Sequence, residues 1–88
     1  MFSIEYIQQS KVFWMENFQK EFGYVLKVYM KKSGFTKDEL AEELGYPVKL
    51  ISQILNGNAN CKMETVVDIT LKIGIAPKIE FRHLDKYL

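Results

Sequence analysis

The sequence predicts a mainly α fold that ends in a short strand, and three observations predict it. Residues 4–32 contain no proline and one glycine, and their apolar side chains recur every three or four positions, the period of a helix with a buried stripe. Residues 35–57, FTKDELAEELGYPVKLISQILNG, hold two shorter apolar repeats separated by Gly45-Tyr46-Pro47. Residues 78–84, KIEFRHL, alternate polar with apolar, the period of a strand. The chain of 88 residues makes a single domain, small enough that one isolated core is marginal.

The middle stretch organises the rest. Thr36 is placed to cap a helix, and Glu39 three residues on completes a capping box. Leu40, Ala41 and Leu44 form its apolar stripe, and Gly45 ends it in the left-handed conformation that glycine takes without steric cost. Pro47 opens a second helix carrying Val48, Ile51, Ile54 and Leu55, and Asn56-Gly57 stops it. Ala41, Gly45, Ile51 and Ile54 fall at relative positions 0, 4, 10 and 13. Two helices crossing steeply need a small side chain where they meet, a left-handed turn residue, and branched apolar residues on the inner face of the second helix. Those four residues supply the set, which defines a helix-turn-helix.

These strings, GFTKDELAEELG and ISQILNG, resemble the recurrent G-L/F-T-x-x-E-L-A-x-x-L-G and I-S-x-I-x-N-G of the Cro/C1-type (phage repressor-like, XRE superfamily) proteins. The resemblance implies a five-helix Cro/C1-like helix-turn-helix domain. Its first helix would span residues 18–32, with Leu26 and Tyr29 packed against Leu40, Leu44 and Ile54. The expected division is residues 1–17 as an N-terminal helical extension, 18–74 as the core and 75–88 as a C-terminal strand and tail.

Ahead of the core, Ser3 suits the cap of a helix starting at Ile4, with Glu5 in its first turn. Phe2, Tyr6, Phe13 and Trp14 give this segment an apolar surface. It either folds back over the core or forms a dimer or partner surface. Gly23 breaks the long helix or merely dents it, at a cost of ~1 kcal/mol. Lys31, Lys32 and Gly34 end it, the lysines compensating the helix dipole in preference to contacting DNA. After the loop 58–61, Met63, Val66, Val67, Ile69, Thr70, Leu71 and Ile73 form the inward face of a further helix that starts at Lys62 or Met63, ends at Lys72 and is stopped by Gly74. In the final segment Ile79 and Phe81 share one strand face. A lone strand needs a partner, and the chain offers no convincing second one. The expectation is antiparallel pairing with the same strand of another copy about a two-fold axis, with a short C-terminal helix around residues 85–88 as the rival.

Composition narrows the chemistry. Net charge is +1, with six lysines against four acids in residues 27–62 and near balance elsewhere, a mild basic excess in the helix-turn-helix third. Sixteen aromatic and methionine side chains exceed what so small a motif needs, an excess that oligomerisation uses. Cys61 is the sole cysteine and His83 the sole histidine, so neither an internal disulfide nor a metal site is expected. Cys61 reads as a buried or idle thiol and His83 as a strand or surface residue. No catalytic set, phosphate loop or cofactor motif is present, and the chain is not expected to be an enzyme. No signal-peptide pattern and no apolar run near ~20 residues is found. A cytoplasmic protein is expected, nucleoid-associated in a prokaryotic or phage-infected cell.

A helix-turn-helix presents the outer face of its second helix to the major groove. Here that leaves Lys49, Leu50, Ser52 and Gln53, with Pro47 and Val48 at the leading end. Gln53 suits adenine N6 and N7, Lys49 suits guanine O6 and N7, Ser52 is permissive, and Val48 or Leu50 suits a thymine methyl. The resemblance implies base reading from Val48, Lys49 and Gln53, and phosphate contacts from Lys37 and Asn56. Lys62, just past the loop, adds a third phosphate contact. Pro47, Val48 and Leu50 stand where relatives carry polar residues, so weak half-sites and dependence on dimerisation are expected, or a motif that no longer reads DNA. The expected function is a sequence-specific DNA-binding regulator, a small dimeric phage or bacterial repressor that occludes a promoter through a recognition helix at residues 47–55. The alternatives are an antitoxin that binds its toxin through residues 2–16 and represses its own operon, and a protein-interaction module that retains the fold.

Overall fold

The computed structural model describes residues 10–83, and among these it forms four helices. They are α1 (Lys11–Ser33), α2 (Lys37–Leu44), α3 (Val48–Leu55) and α4 (Met63–Lys72). The capping chemistry of α2 is as expected. The Glu39 amide donates to Thr36 Oγ1 at 3.2 Å and the Thr36 amide donates to Glu39 Oε1 at 2.9 Å. Gly45 takes a left-handed φ of 78° after α2, and Gly57 a φ of 76° after α3.

One helix spans what the sequence divided at residue 17. α1 runs unbroken from its Ser10 cap, whose hydroxyl accepts from the Phe13 amide at 3.1 Å, to Gly34. Gly23 sits inside it, buried, and neither breaks nor ends it. A Cβ at Gly23 would collide with the Ile54 carbonyl oxygen and come within 3.3 Å of the Gly57 nitrogen. The glycine therefore permits α1 to lie directly on the C-terminal backbone of α3. Ser3, Ile4 and Glu5, the expected start of the first helix, lie outside the described residues, as do Phe2 and Tyr6.

The core sits where all four helices converge. Leu26 of α1, Leu40 and Leu44 of α2, Ile51 and Ile54 of α3 and Ile69 of α4 are fully buried. Phe22, Ala41, Leu55, Val66 and Ile73 extend the cluster, and Tyr29 packs half-buried against it. Met63 and Leu71 do not join it: they are 64% and 59% exposed. Leu71 is out of phase with the buried stripe Val66, Thr70 and Ile73, and Met63 begins α4 at the rim of the core. Buried Thr70 satisfies its hydroxyl locally, donating to Val67 O at 3.1 Å.

Two further expectations differ from the structure. Five helices were expected, and four are present among the described residues. Residues 78–83 form no strand, because a strand exists only through its ladder and no strand partner is present among the described residues. The rival helix at residues 85–88 lies outside the described residues.

Candidate nucleic-acid interface

α3 packs against both α1 and α2, burying Ile51, Ile54 and Leu55. Its opposite side carries the candidate base readers. Val48 is 42% exposed, Lys49 and Gln53 are exposed, and Ser52 is half-buried between them and the core. Leu50 is not part of this outer set, since it packs partly buried against the core cluster. The outward surface of α3 is thus Val48, Lys49 and Gln53, with Ser52 at its edge.

The two N-termini that flank the turn differ in charge. At α2, Thr36 and Glu39 already satisfy one another's amides, and Asp38 and Glu39 place two carboxylates in the first turn. A phosphate gains little from that helix end, so exposed Lys37 must act through its own ammonium. At α3, Pro47 provides no side-chain cap and the first turn carries no acid, while Lys49 adds a cation. The positive end of α3 is therefore left without a side-chain cap or an acidic neighbour in its first turn, the condition under which a helix start attracts an anion. Lys62 caps α4 without a side-chain bond, and both it and Asn56 are exposed. The structure thus places the base-reading candidates on one helix face and the phosphate candidates at three separate helix ends.

Sequence reasoning missed a polar link behind this surface. Tyr46, in the turn, donates its hydroxyl to Asp68 of α4 at 2.5 Å. Lys72 pairs with Asp68 at 3.1 Å and donates to Leu44 O at 2.8 Å. The Tyr46 phenol is pushed up to about 12, first by its bond to Asp68, then by burial and by the Asp68 charge. The Asp68 carboxyl is held below its ordinary value, first by the Tyr46 bond and then by Lys72. The i, i+4 spacing of Asp68 and Lys72 was visible in the sequence, but their partner in the turn was not.

The expected dimer or partner residues lie elsewhere. Phe13 is exposed and meets the half-buried Trp14 edge-to-face with ring centroids 5.1 Å apart. Trp14 and Ile79 line a groove of about 600 Å³ between α1, α4 and the tail, together with Phe18, Phe22 and Val66. Phe81 is 94% exposed. Cys61 borders the same groove, and burial pushes its thiol up. Among the described residues no helix is long and apolar enough to cross a membrane.

Two short helices that pack together through buried inner faces, Leu40, Ala41 and Leu44 on one and Ile51, Ile54 and Leu55 on the other, and are joined by a glycine turn form a helix-turn-helix. The chain belongs to the Cro/C1-type helix-turn-helix family, whose family model, described as helix-turn-helix, matches residues 26–78. In general class it is a DNA-binding transcription regulator. No curated protein and no solved structure matches it.

Proposed function

We propose that this protein is a sequence-specific repressor that binds a two-fold operator as a dimer and occludes a promoter. The observation that carries the reading is the division of α3: Ile51, Ile54 and Leu55 are buried while Val48, Lys49 and Gln53 stand exposed beside an uncapped, acid-free helix start. Val48 meets a thymine methyl, Lys49 a guanine, and Gln53 an adenine edge, with Ser52 as a tolerant neighbour. Lys37, Asn56 and Lys62 hold the phosphate backbone and fix the register. Three lysines, with no arginine among these contacts, make a weak half-site, so two copies act together. Phe13, Trp14, Ile79 and Phe81 supply an apolar surface for that pairing, set apart from the α3 face. The protein acts in the cytoplasm of a prokaryotic or phage-infected cell.

Selection of bound duplexes from random-sequence DNA tests this. The expected result is a palindromic consensus with half-sites about one helical turn, ~34 Å, apart. Failure to enrich any sequence would sink the reading. The apolar groove beside α1 favours one second reading, an antitoxin or interaction module that docks a protein there. Its mark would be a stable complex with the product of a neighbouring gene, lost on substitution of groove residues and retained in Gln53→Ala.

A further inference from the structure

Tyr46 occupies the turn between α2 and α3, two positions before α3 begins. Three interactions join this turn and the end of α2 to α4, and an ion pair within α4 links them. The Tyr46 hydroxyl donates to Asp68 Oδ2 at 2.5 Å. Lys72, one helical turn beyond Asp68, pairs with the same oxygen at 3.1 Å. The Lys72 ammonium also donates to the carbonyl of Leu44, the last residue of α2, at 2.8 Å. It stands 5.3 Å from the centroid of the Tyr46 ring, within the range of a cation–π contact. One carboxylate and one ammonium on α4 thereby hold the end of α2 and the turn that follows it.

The turn is tied on its other side as well. The Tyr46 amide donates to Ala41 O at 3.1 Å. From Tyr46 the chain enters α3 through Pro47, whose ring fixes its φ, here −60°. Few free torsions separate the Tyr46 ring from Val48. Ile51, Ile54 and Leu55 anchor the later part of α3 in the core, whereas its leading end has no side-chain cap and carries exposed Val48 and Lys49. A displacement of Tyr46 therefore passes to the end of α3 that the core holds least.

We infer that Tyr46, Asp68 and Lys72 are positioning residues for DNA reading: a clamp from α4 that fixes the leading end of α3 so that Val48 and Lys49 meet base edges in register. The inference rests on the DNA-reading function proposed above. The clamp acts through α3 and touches no base itself. Tyr46→Phe changes no charge and so leaves the long-range attraction to phosphate in place, whereas Asp68→Asn removes a negative charge beside Lys72 and does not weaken that attraction. Base reading tolerates errors of only about 0.5 Å in side-chain placement, whereas backbone attraction does not depend on such placement.

The test compares the full chain with Tyr46→Phe, Asp68→Asn and the double variant. Tyr46→Phe keeps the ring over Lys72 and removes only the hydroxyl. The probes are the duplex most enriched by the wild-type protein from random-sequence DNA and a scrambled duplex of the same composition. Both affinities are measured at a temperature where circular dichroism finds every variant folded. Each single substitution is expected to lower the ratio of the two affinities about tenfold, the scale of a hydrogen bond to a charged group. Affinity for the scrambled duplex should change by no more than about twofold in Tyr46→Phe and should not fall in Asp68→Asn, which removes a negative charge. The double variant should be no worse than the worse single, because Tyr46→Phe removes the donor of the bond whose acceptor Asp68→Asn discharges. If Asp68→Asn does not fold, Lys72→Met, which frees Leu44 O and leaves the Tyr46–Asp68 bond in place, carries the same comparison. A lowered melting temperature with an unchanged affinity ratio would overturn the clamp and leave these residues a purely structural role. If the wild type enriches no duplex, DNA reading fails and the clamp fails with it. An enriched duplex read equally well by wild type and variants removes the clamp alone.

Discussion

A glycine inside a helix costs about 1 kcal/mol relative to alanine, and Gly23 is buried in the middle of α1. The cost is offset by what the missing side chain permits, since a Cβ there would strike the Ile54 carbonyl oxygen, a backbone atom that cannot swing aside. Gly23→Ala is therefore expected to destabilise the protein by ~1–3 kcal/mol in urea unfolding, the usual scale of overpacking, despite its better helix propensity. A variant as stable as the wild type would mean that α1 and α3 do not approach so closely. Tyr46 makes a second prediction at this scale. Its phenol is raised from its ordinary 10.0 to about 12, so its contribution to stability is complete below pH 10 and is lost as pH climbs toward about 12. The Asp68 carboxyl is lowered, so its contribution is present above the ordinary carboxylate range and is lost as pH falls through the depressed value. In Tyr46→Phe the alkaline loss should shrink and the acid loss should weaken, because the first cause of the Asp68 shift is gone. Melting temperature followed from acid to alkaline pH measures both limbs. An unchanged alkaline limb would show that the Tyr46 proton is not held by Asp68.

Among the elements, α2, α3 and α4 were legible because their boundaries are local. Thr36 and Glu39 cap α2 within four residues, and Gly45 and Gly57 supply turns that few other residues can take. The course of α1 was not legible: the close approach of Ile54 that makes Gly23 necessary comes from a residue distant in sequence. The outer face of α4 was misjudged because Met63 and Leu71 were counted by apolarity instead of by phase with Val66, Thr70 and Ile73. Strand alternation at residues 78–83 was visible, yet alternation fixes only which side chains share a face and cannot create the partner a ladder needs. At the candidate site, the outward position of Val48, Lys49 and Gln53 was legible from the helical phase of α3, while Ser52 is half-buried, Leu50 turns partly inward and the Tyr46 link to α4 has no local signal. The contrast between α2 and α3 yields paired predictions. Thr36→Ala should cost about 1 kcal/mol of stability by removing the cap, and a urea midpoint equal to the wild type's would count against the capping box. Gln53→Ala should relax preference at one base position by about 1–3 kcal/mol, whereas Lys37→Ala should weaken all sequences alike and reduce the salt slope by about one. Titrations of matched and single-mismatch duplexes at several salt concentrations separate the two, and sequence-selective loss in Lys37→Ala would reverse the assignment.

At the scale of the whole molecule, the described residues bury twelve apolar side chains and leave eleven large ones exposed. One small core therefore leaves nearly as many as it takes in. The exposed set is not spread evenly. Phe18, Met63, Ile75 and Ile79 border the groove between α1, α4 and the tail, which takes no lining residue from α2 or α3. Val48 is the one large apolar side chain exposed on α3 among the described residues. Pairing two copies through the groove and tail would bury this surface while leaving both α3 faces free, and it would supply residues 78–83 with a strand partner that the described residues do not offer. Ile79→Ser combined with Phe81→Ser removes apolar contact from the tail without touching the core. In sedimentation equilibrium this variant is expected to shift from dimer to monomer. Its affinity for a palindromic duplex should fall steeply while affinity for a single half-site stays the same, because avidity is lost and the reading helix is intact. Phe18→Ser separates the groove from the tail: if it alone gives monomers, the groove carries the contact and the tail only borders it. A protein that remains dimeric with all three substitutions would place the pairing surface outside this face and break the link between the unburied apolar side chains and two-fold binding.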